Sequence, residues 1–407
     1  MARTHNIVSA LDIGSGYIKG IVAQKKRDGE GAAVLSVASV LSDGLKRGVV
    51  IDANVVSDKI NYVLTKLNSE VSPHRIKDVF INVGGAHIIS EYGHGAVAIS
   101  RADQRVSPDD EDRVTEEAKT NIIANLTSNQ EILDVFPKEF IVDSEAGLKD
   151  VVGMKGIKLE VNALAVCAFS PYLNKLVETA MSAGVERIVD VVPSPLASAK
   201  ALLTPQQKEL GTALIDIGAE TTGLAVFEDG NLIHLAILPV GSAHITRDIA
   251  IALQVDINIA EEIKRKFGSY FFQNKTKKEK ISINKDEEFV FDTKKMVKAG
   301  RARVIEIFDL INKELKKIGK QEALPAGIIL AGGGSKLPGI VNFVKSELKL
   351  PVRKGVIKNF FGLEDNISYG VLCGLALGGL EEERGNNSFL NNKFGSKIKK
   401  LFRVFIP

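Results

Sequence analysis

Short apolar runs with period-two alternation fill the first forty positions of the chain. IVSALDIG (residues 7–14) predicts a strand, Ser15-Gly16 a turn, YIKGIVAQ a second strand and AAVLSVASV a third. From Asn54 to Leu67 the apolar positions take helical spacing, and KDVFINVGG returns to strand. Between about Gly84 and Phe169 the texture changes. Extended stretches there flank a charged helix, with Ser107 suited to its N-cap and Pro108 to its first turn. EILDVFPKEFIVD and GIKLEVNALAVCAF then resume strand character, so the block predicts an inserted module of strands and one helix. Ser170-Pro171 opens a helix that stops at Gly184, and RIVDVVPSPLASAKALL reads as a strand followed by a helix.

At residue 213 the opening theme returns. ALIDIGAETTGLAVFEDGNLIHLAILPVG is again strand, turn, strand, turn, strand. Asp12-Ile13-Gly14 aligns with Asp216-Ile217-Gly218, and Val22 with Val226, an internal duplication with a spacing of about 200 residues. Helical and charged segments follow from Ser242 to Lys320, including NKTKKEKISINKDEE, which predicts exposed loops and hairpins. AGIILAGGGSKLPGIVNFVKSEL is a strand, a glycine turn and a helix. YGVLCGLALGGL predicts a buried glycine-bearing helix, and EERGNNSFLNNK a tether.

Composition changes this picture in two places. With 407 residues the chain is too long for one simple core, so two or more domains are expected. The net charge of +3 hides an asymmetry, because residues 391–407 hold Lys393, Lys397, Lys399, Lys400 and Arg403 without an acidic residue, leaving the remainder at −2. Such a body is a poor general nucleic-acid binder. Cys167 and Cys373 sit in apolar runs at no metal-binding spacing and read as buried, reduced thiols, which fits the cytosol. The N-terminus reaches Asp12 before an apolar core of signal-peptide length develops, and no apolar run approaches the ~20 residues of a spanning helix. A soluble or peripheral protein is expected.

The candidate chemistry lies in the glycine turns. Gly14-Ser15-Gly16 is not a dinucleotide fingerprint, because a strand follows where that motif requires a helix. A glycine hairpin instead offers backbone N–H groups to phosphate oxygens, here with Tyr17 and Lys19 just beyond the turn. Asp12, at the strand end, can hold a hydrated Mg²⁺. The second copy presents Asp216 followed by Gly218, Ala219, Glu220, Thr221 and Thr222, so two hairpins face to face could clamp a triphosphate. A third loop, Gly332-Gly333-Gly334-Ser335, permits close approach of a flat ring or ribose to backbone.

Paired phosphate hairpins followed by AGGGS resemble the superfamily of actin, sugar kinases and heat-shock chaperone ATPases. The resemblance covers about residues 7 to 383 and implies an α/β fold of two lobes, duplicated ribonuclease-H-like domains, around an ATP and Mg²⁺ site. AEEIKRKFG resembles the helix whose acid and lysine reach the nucleoside, here Glu261 and Lys264, and Gly241 joins that set by the same resemblance. PSPLASAKALL and SYGVLCGLALGG resemble the helices connecting the lobes. One departure bears on turnover. Relatives with brisk hydrolysis often carry an acid or histidine seven residues after the second aspartate, where this chain has Gly223, and Glu220 stands where glycine is common. No base positioned for water is evident, so tight binding with slow or negligible hydrolysis is expected.

The tail closes the reading. Around a wheel at 100° per residue, Leu401, Phe402 and Phe405 fall within about 60° of Ile398, with Lys397, Lys399, Lys400 and Arg403 on the other side. An apolar face against a cationic one describes a helix lying in an anionic lipid interface. Each cation near such a surface gives ~1 kcal/mol, while ordering each residue costs ~1 kcal/mol or more. One tail therefore binds weakly, and polymerisation would multiply the attachment.

With the insertion near residues 84–169, this tail makes the whole chain resemble the FtsA family of actin-like bacterial division proteins. The resemblance implies self-assembly at the cytoplasmic face of the membrane, at the division site. It also implies recruitment of FtsZ through its C-terminal peptide, and of later division proteins through the insertion. It divides the chain into first-lobe core (1–83 and 170–203), inserted α+β subdomain (84–169), second-lobe core (204–255 and 327–383), outer subdomain (256–326), tether (384–394) and membrane helix (395–407). Family knowledge places the FtsZ contact in the outer subdomain, where Lys298, Arg301 and Arg303 are candidates. Two other readings use the same fold. A pilus-assembly scaffold of the PilM type would bind a membrane-protein peptide and need no lipid-binding tail. A sugar-kinase-like phosphotransferase would need a catalytic aspartate in a sugar pocket, for which the sequence offers no convincing candidate.

Overall fold

Two sheets of the same design organise the chain. In the computed structural model, which describes residues 7–26, 31–273, 277–282, 288–358, 360–363 and 367–382, the opening strands β1 (Ile7–Ile13), β2 (Tyr17–Lys25) and β3 (Ala32–Leu41) form an antiparallel meander. A small hairpin, β4 (Leu45–Lys46) and β5 (Val49–Val50), leads into α1 (Ala53–Glu70). Asp52 caps α1 by accepting the Asn54 and Val55 N–H groups, and Val56, Ile60, Val63, Leu64 and Leu67 give the helix its buried stripe. The chain then adds β6 (Asp78–Val83) parallel to β1.

The insertion follows: β7 (Ile89–Ala98), α2 (Pro108–Asn125), β8 (Gln130–Val142), β9 (Glu145–Leu148) and β10 (Lys158–Phe169), with sheet order β7-β10-β8-β9. Ser107 and Asp110 form a capping box at the start of α2, as the Ser-Pro signal predicted. One face of this sheet packs with α2, through Val114, Ala118, Ile122, Val161 and Ala163. From the other face, Phe136, Leu164 and Val166 belong to the core cluster of the first lobe.

The chain returns through α3 (Ser170–Ser182), β11 (Arg187–Pro193), α4 (Ser194–Leu202) and α5 (Pro205–Leu210). The second meander, β12 (Thr212–Ile217), β13 (Thr222–Glu228) and β14 (Asn231–Leu238), precedes α6 (Ser242–Leu253) and α7 (Ile257–Phe267). The lysine-rich stretch contributes a hairpin, β15 (Lys278–Ser282) and β16 (Glu288–Asp292), before the long α8 (Thr293–Lys317). β17 (Ile328–Ala331), α9 (Ile340–Leu348), β18 (Val352–Lys354), β19 (Phe360–Phe361) and α10 (Gly370–Glu382) complete the order.

The sheet orders show the duplication. β3-β2-β1-β6-β11 in the first lobe matches β14-β13-β12-β17-β18 in the second, an antiparallel meander followed by two parallel strands in each. β19 crosses back to pair with β3, so the chain's later part rejoins the first lobe. Between the lobes, α4 and α10 cross at Gly374, where any Cβ would overlap the Ala197 carbonyl. Both cysteines are buried free thiols, each pushed up to about 12 by burial. The residues assigned to the tether (384–394) and the membrane helix (395–407) lie outside those described.

Candidate functional site

The two glycine turns meet at the floor of a cleft of about 790 Å³. Each is closed in the same way: the Gly14 N–H donates to the Tyr17 carbonyl (3.2 Å), and the Gly218 N–H to the Thr221 carbonyl (2.9 Å). A side chain at Gly16 would come within 2.8 Å of the Ala219 methyl, so glycine is needed for the turns to approach. Ser15, Gly16, Tyr17, Lys19, Gly218, Ala219, Glu220 and Thr221 all line the cleft. Among the described residues, the N–H groups of Ser15, Gly16, Ala219 and Glu220 donate to no protein acceptor.

Asp12 and Asp216 stand at the ends of β1 and β12 and line the same space. Asp12 accepts from Lys19 Nζ (3.0 Å) and from Asn82 Nδ2 (2.9 Å). Lys19 Nζ also donates to the Ser368 carbonyl (2.7 Å), beside the Tyr369 ring. Burial works against charge on Lys19, but Asp12 and Asp216 outweigh it and hold its pKa above the ordinary value. Asp216 accepts from the Ser198 hydroxyl of α4. Burial, with the nearby Asp12 charge, pushes its carboxyl up to about 6, against the Ser198 bond and the charge of Lys19.

Opposite the turns, Glu261 and Lys264 of α7 form an ion pair (2.5 Å). Lys264 Nζ donates to Thr246 Oγ1 (2.8 Å) and to the Ser242 carbonyl (3.2 Å), tying α7 to α6. Burial lowers the Lys264 pKa, despite the Glu261 carboxylate. On Glu261 burial opposes charge, but Lys264, Thr246 and Arg265 together keep its carboxyl below the usual range. The triple-glycine loop completes the wall: Gly332, Gly333 and Gly334 line the cleft, and a Cβ at Gly333 would meet only open space.

Several predicted residues sit elsewhere. Thr222 is fully buried and its hydroxyl donates to the Val240 carbonyl (2.7 Å), because it is the first residue of β13 and faces the core. Ser335 is likewise buried, its hydroxyl closing the loop onto the Gly332 carbonyl (2.7 Å). Gly14 and Gly241 shape backbone: Gly241 packs against the Gly218 and Ala219 carbonyls at the start of α6. Glu220 lines the cleft, but its carboxylate accepts the Arg47 N–H (2.7 Å) and pairs with Arg247. Those partners outweigh burial and hold its carboxyl below the ordinary range. Glu220 thus braces the turn, and a carboxylate there would repel phosphate.

On α8, Lys298 and Arg301 are exposed at helical spacing. Arg303 is half-buried and clasps Asp248 with two bonds (2.8 and 3.2 Å) while pairing with Glu306. It joins α8 to α6 instead of presenting a free cation. Sequence reading also missed Asn82, Ser198, Arg247 and the pair Arg265 and Lys336, which line the cleft or hold residues that do. The signal available for Asn82 was a lone polar residue within the apolar run VFINV.

Known proteins are similar to this chain in sequence and fold. A family model described as cell division protein FtsA matches residues 213–371, and one described as an SHS2 domain inserted in FtsA matches residues 85–167. The cell division protein FtsA of Pseudomonas aeruginosa is 31% identical, over 94% of this chain and 91% of its own length. The chain belongs to the FtsA family. The family's Bacillus subtilis protein is also 31% identical, over 89% of this chain and 81% of its own. The fold is actin-like: it resembles a PilM–PilN type IV pilus biogenesis complex (TM-score 0.64, 19% identity, 92% and 98% of the two chains). It also resembles MreB5 of Spiroplasma citri bound to ADP (TM-score 0.56, 13% identity, 94% and 98%). As in the FtsA family models, this chain carries an insertion in its first lobe.

The residues present fit a magnesium nucleotide. Free N–H groups in both turns suit phosphate oxygens. Asp12 and Asp216 are oxygen donors of the kind hydrated Mg²⁺ takes. The open backbone at Gly333, opposite Glu261 and Lys264, suits a nucleoside. Gly223, opposite Asp216 on the neighbouring strand, leaves no room for a base, since a Cβ there would strike the Pro195 ring. Among the described residues no group of three or more His, Cys, Asp or Glu could hold a metal ion by itself.

Proposed function

We propose that this FtsA-family chain binds ATP with Mg²⁺ in the cleft, assembles with itself, and anchors FtsZ filaments at the cytoplasmic face of the membrane at the division site. The observation that supports nucleotide binding most directly is the meeting of two unsatisfied glycine turns around Lys19, Asp12 and Asp216. Within this reading the Ser15, Gly16, Ala219 and Glu220 amides hold phosphate. Lys19 supplies positive charge, and Glu261, Lys264 and the Gly332–Gly334 backbone take the nucleoside. The bound Mg²⁺ would neutralise phosphate charge, with Asp12 and Asp216 orienting its waters. Gly223 carries no base for the attacking water, so hydrolysis is slow or absent.

Membrane attachment rests on the sequence of residues 395–407, with Ile398, Leu401, Phe402 and Phe405 entering lipid and Lys397, Lys399, Lys400 and Arg403 meeting anionic headgroups. No helix among the described residues is long and apolar enough to cross a membrane, so a peripheral anchor is the form attachment would take. The outer subdomain offers Lys298 and Arg301 to the FtsZ peptide, and residues 84–169 serve later division proteins. Co-sedimentation with anionic liposomes, comparing the full chain with one ending at Asn387, tests the anchor. The full chain alone should sediment, and equal sedimentation of both would refute it. Equilibrium binding of ATP with Mg²⁺ tests the cleft, and turnover of several per second would contradict slow hydrolysis.

A further inference from the structure

The inserted module is joined covalently to the first lobe at both ends, yet it is also seated on the second lobe. β14, the edge strand of the second sheet, meets β7, β8 and β10 of the module without a strand-to-strand ladder. Asn231 Nδ2 donates to the Lys138 carbonyl of β8 (3.2 Å), and Lys149 pairs with Glu209 and Asp229. Ser90 alone does for Leu235 what a neighbouring strand would do. Its hydroxyl donates to the Leu235 carbonyl (2.6 Å) and accepts the Leu235 N–H (3.1 Å). Two residues on, and so on the same face of the strand, the Tyr92 hydroxyl meets His234 Nδ1 (2.7 Å) and the Ile233 carbonyl (3.3 Å). His234 Nε2 in turn bonds Glu314 of α8 (3.1 Å), which also pairs with Lys317.

We infer that the Ser90–Tyr92 face of β7 is the contact through which a change in the angle between the lobes is passed to the inserted module. A ladder resists shear because many paired bonds must break together. One hydroxyl bonded to both groups of Leu235 instead ties β7 to β14 at a single point, so β7 is displaced with Leu235 while the strands stay free to slide elsewhere. Beside it lies a cavity of about 770 Å³, lined by β7, β14 and the end of α8, into which the module has room to move. The bonds run on from Tyr92 through His234 to Glu314, so α8 is coupled to the same contact. Coupling of this kind requires a physical element that differs between the two lobe angles, and this seat spans the moving parts.

The inference rests on the cleft binding nucleotide, which would set the lobe angle. Hydrogen exchange of the full chain, with and without saturating ATP and Mg²⁺, is read on peptides spanning Ile89–Ala98 and Asn231–Leu238. In the native chain nucleotide should change exchange in both. In the double variant Ser90→Ala/Tyr92→Phe, ATP should still bind, the Leu235 amide should exchange about fivefold faster for its lost bond, and the β7 response should vanish. Ser90→Thr, which keeps the hydroxyl, should restore it. A native chain that binds no ATP overturns both the cleft reading and this inference. ATP binding with both peptides unchanged overturns the inference alone, as does a double variant that responds like the native chain.

Discussion

The first and second glycine turns share a backbone and differ in the residue opposite the aspartate. In β1–β2, Asp12 faces Lys19; in β12–β13, Asp216 faces Gly223, with Pro195 occupying the space a side chain would need. One copy therefore carries a carboxylate with its own cation, and the other a carboxylate held by a serine hydroxyl and a borrowed lysine. Duplication supplied two glycine turns, but the charge compensation was built once. Between the two aspartates the cleft then has one cation, Lys19, placed in the first lobe and shared across to the second.

Removing that cation is the harshest test of the asymmetry. Lys19→Ala should cost about 3 kcal/mol in chemical denaturation, because it strands the Asp12 charge in a buried setting, and it should abolish ATP binding. A cost under about 1 kcal/mol would mean that the Asn82 bond is enough to hold the Asp12 carboxylate without Lys19. Next in size, Gly223→Ala should destabilise the fold by about 2 kcal/mol through overpacking against Pro195. A neutral result would show that α4 yields and that the second turn could have accepted a side chain.

The pH dependence of Asp216 gives a smaller, signed effect. Its carboxyl is raised to about 6 in the fold, above the ~3.9 of an unfolded chain. The folded state thus holds the proton more tightly. The stability this contributes is full below about pH 4 and is lost as pH rises through 6. Asp216→Asn should flatten the stability profile of nucleotide-free protein across that window and raise stability at pH 7 by about 1–2 kcal/mol, since the group keeps partial solvent access. Asp12→Asn should give no such gain, because it removes the partner of Lys19. Last, Ser198→Ala should cost about 1 kcal/mol and move the Asp216 step to higher pH, as judged by denaturation at a series of pH values.

Much of this arrangement was legible because the turns are local. Asp12-Ile13-Gly14 and Asp216-Ile217-Gly218 announce strand ends and turns by their order alone, and their repetition made the pairing of lobes readable. What surrounds them was not local. Asn82 reaches Asp12 from 70 residues away, and Ser194 bonds that same Asn82 across 112. Strand alternation sends Thr222 inward, although its position just after the turn made it look like a ligand. Glu220 and Arg303 were read as surface or cleft groups because their partners, Arg47, Arg247 and Asp248, lie on other elements. Sequence order shows which residues begin a turn, while charge pairing depends on which elements the fold brings beside it.

The crossing of α4 and α10 at Gly374 bears on how such a molecule can move. The helices touch backbone to backbone there, with the Ala197 carbonyl in the place of a side chain, while Leu196 and Leu202 of α4 share a core with Leu372 and Leu375 of α10 on either side. This joint opposes separation of the lobes, since Lys200 and Glu381 clasp the same helices farther along. A methyl group at position 374 has no room beside the Ala197 carbonyl, so it would force the two helices apart and loosen the joint itself.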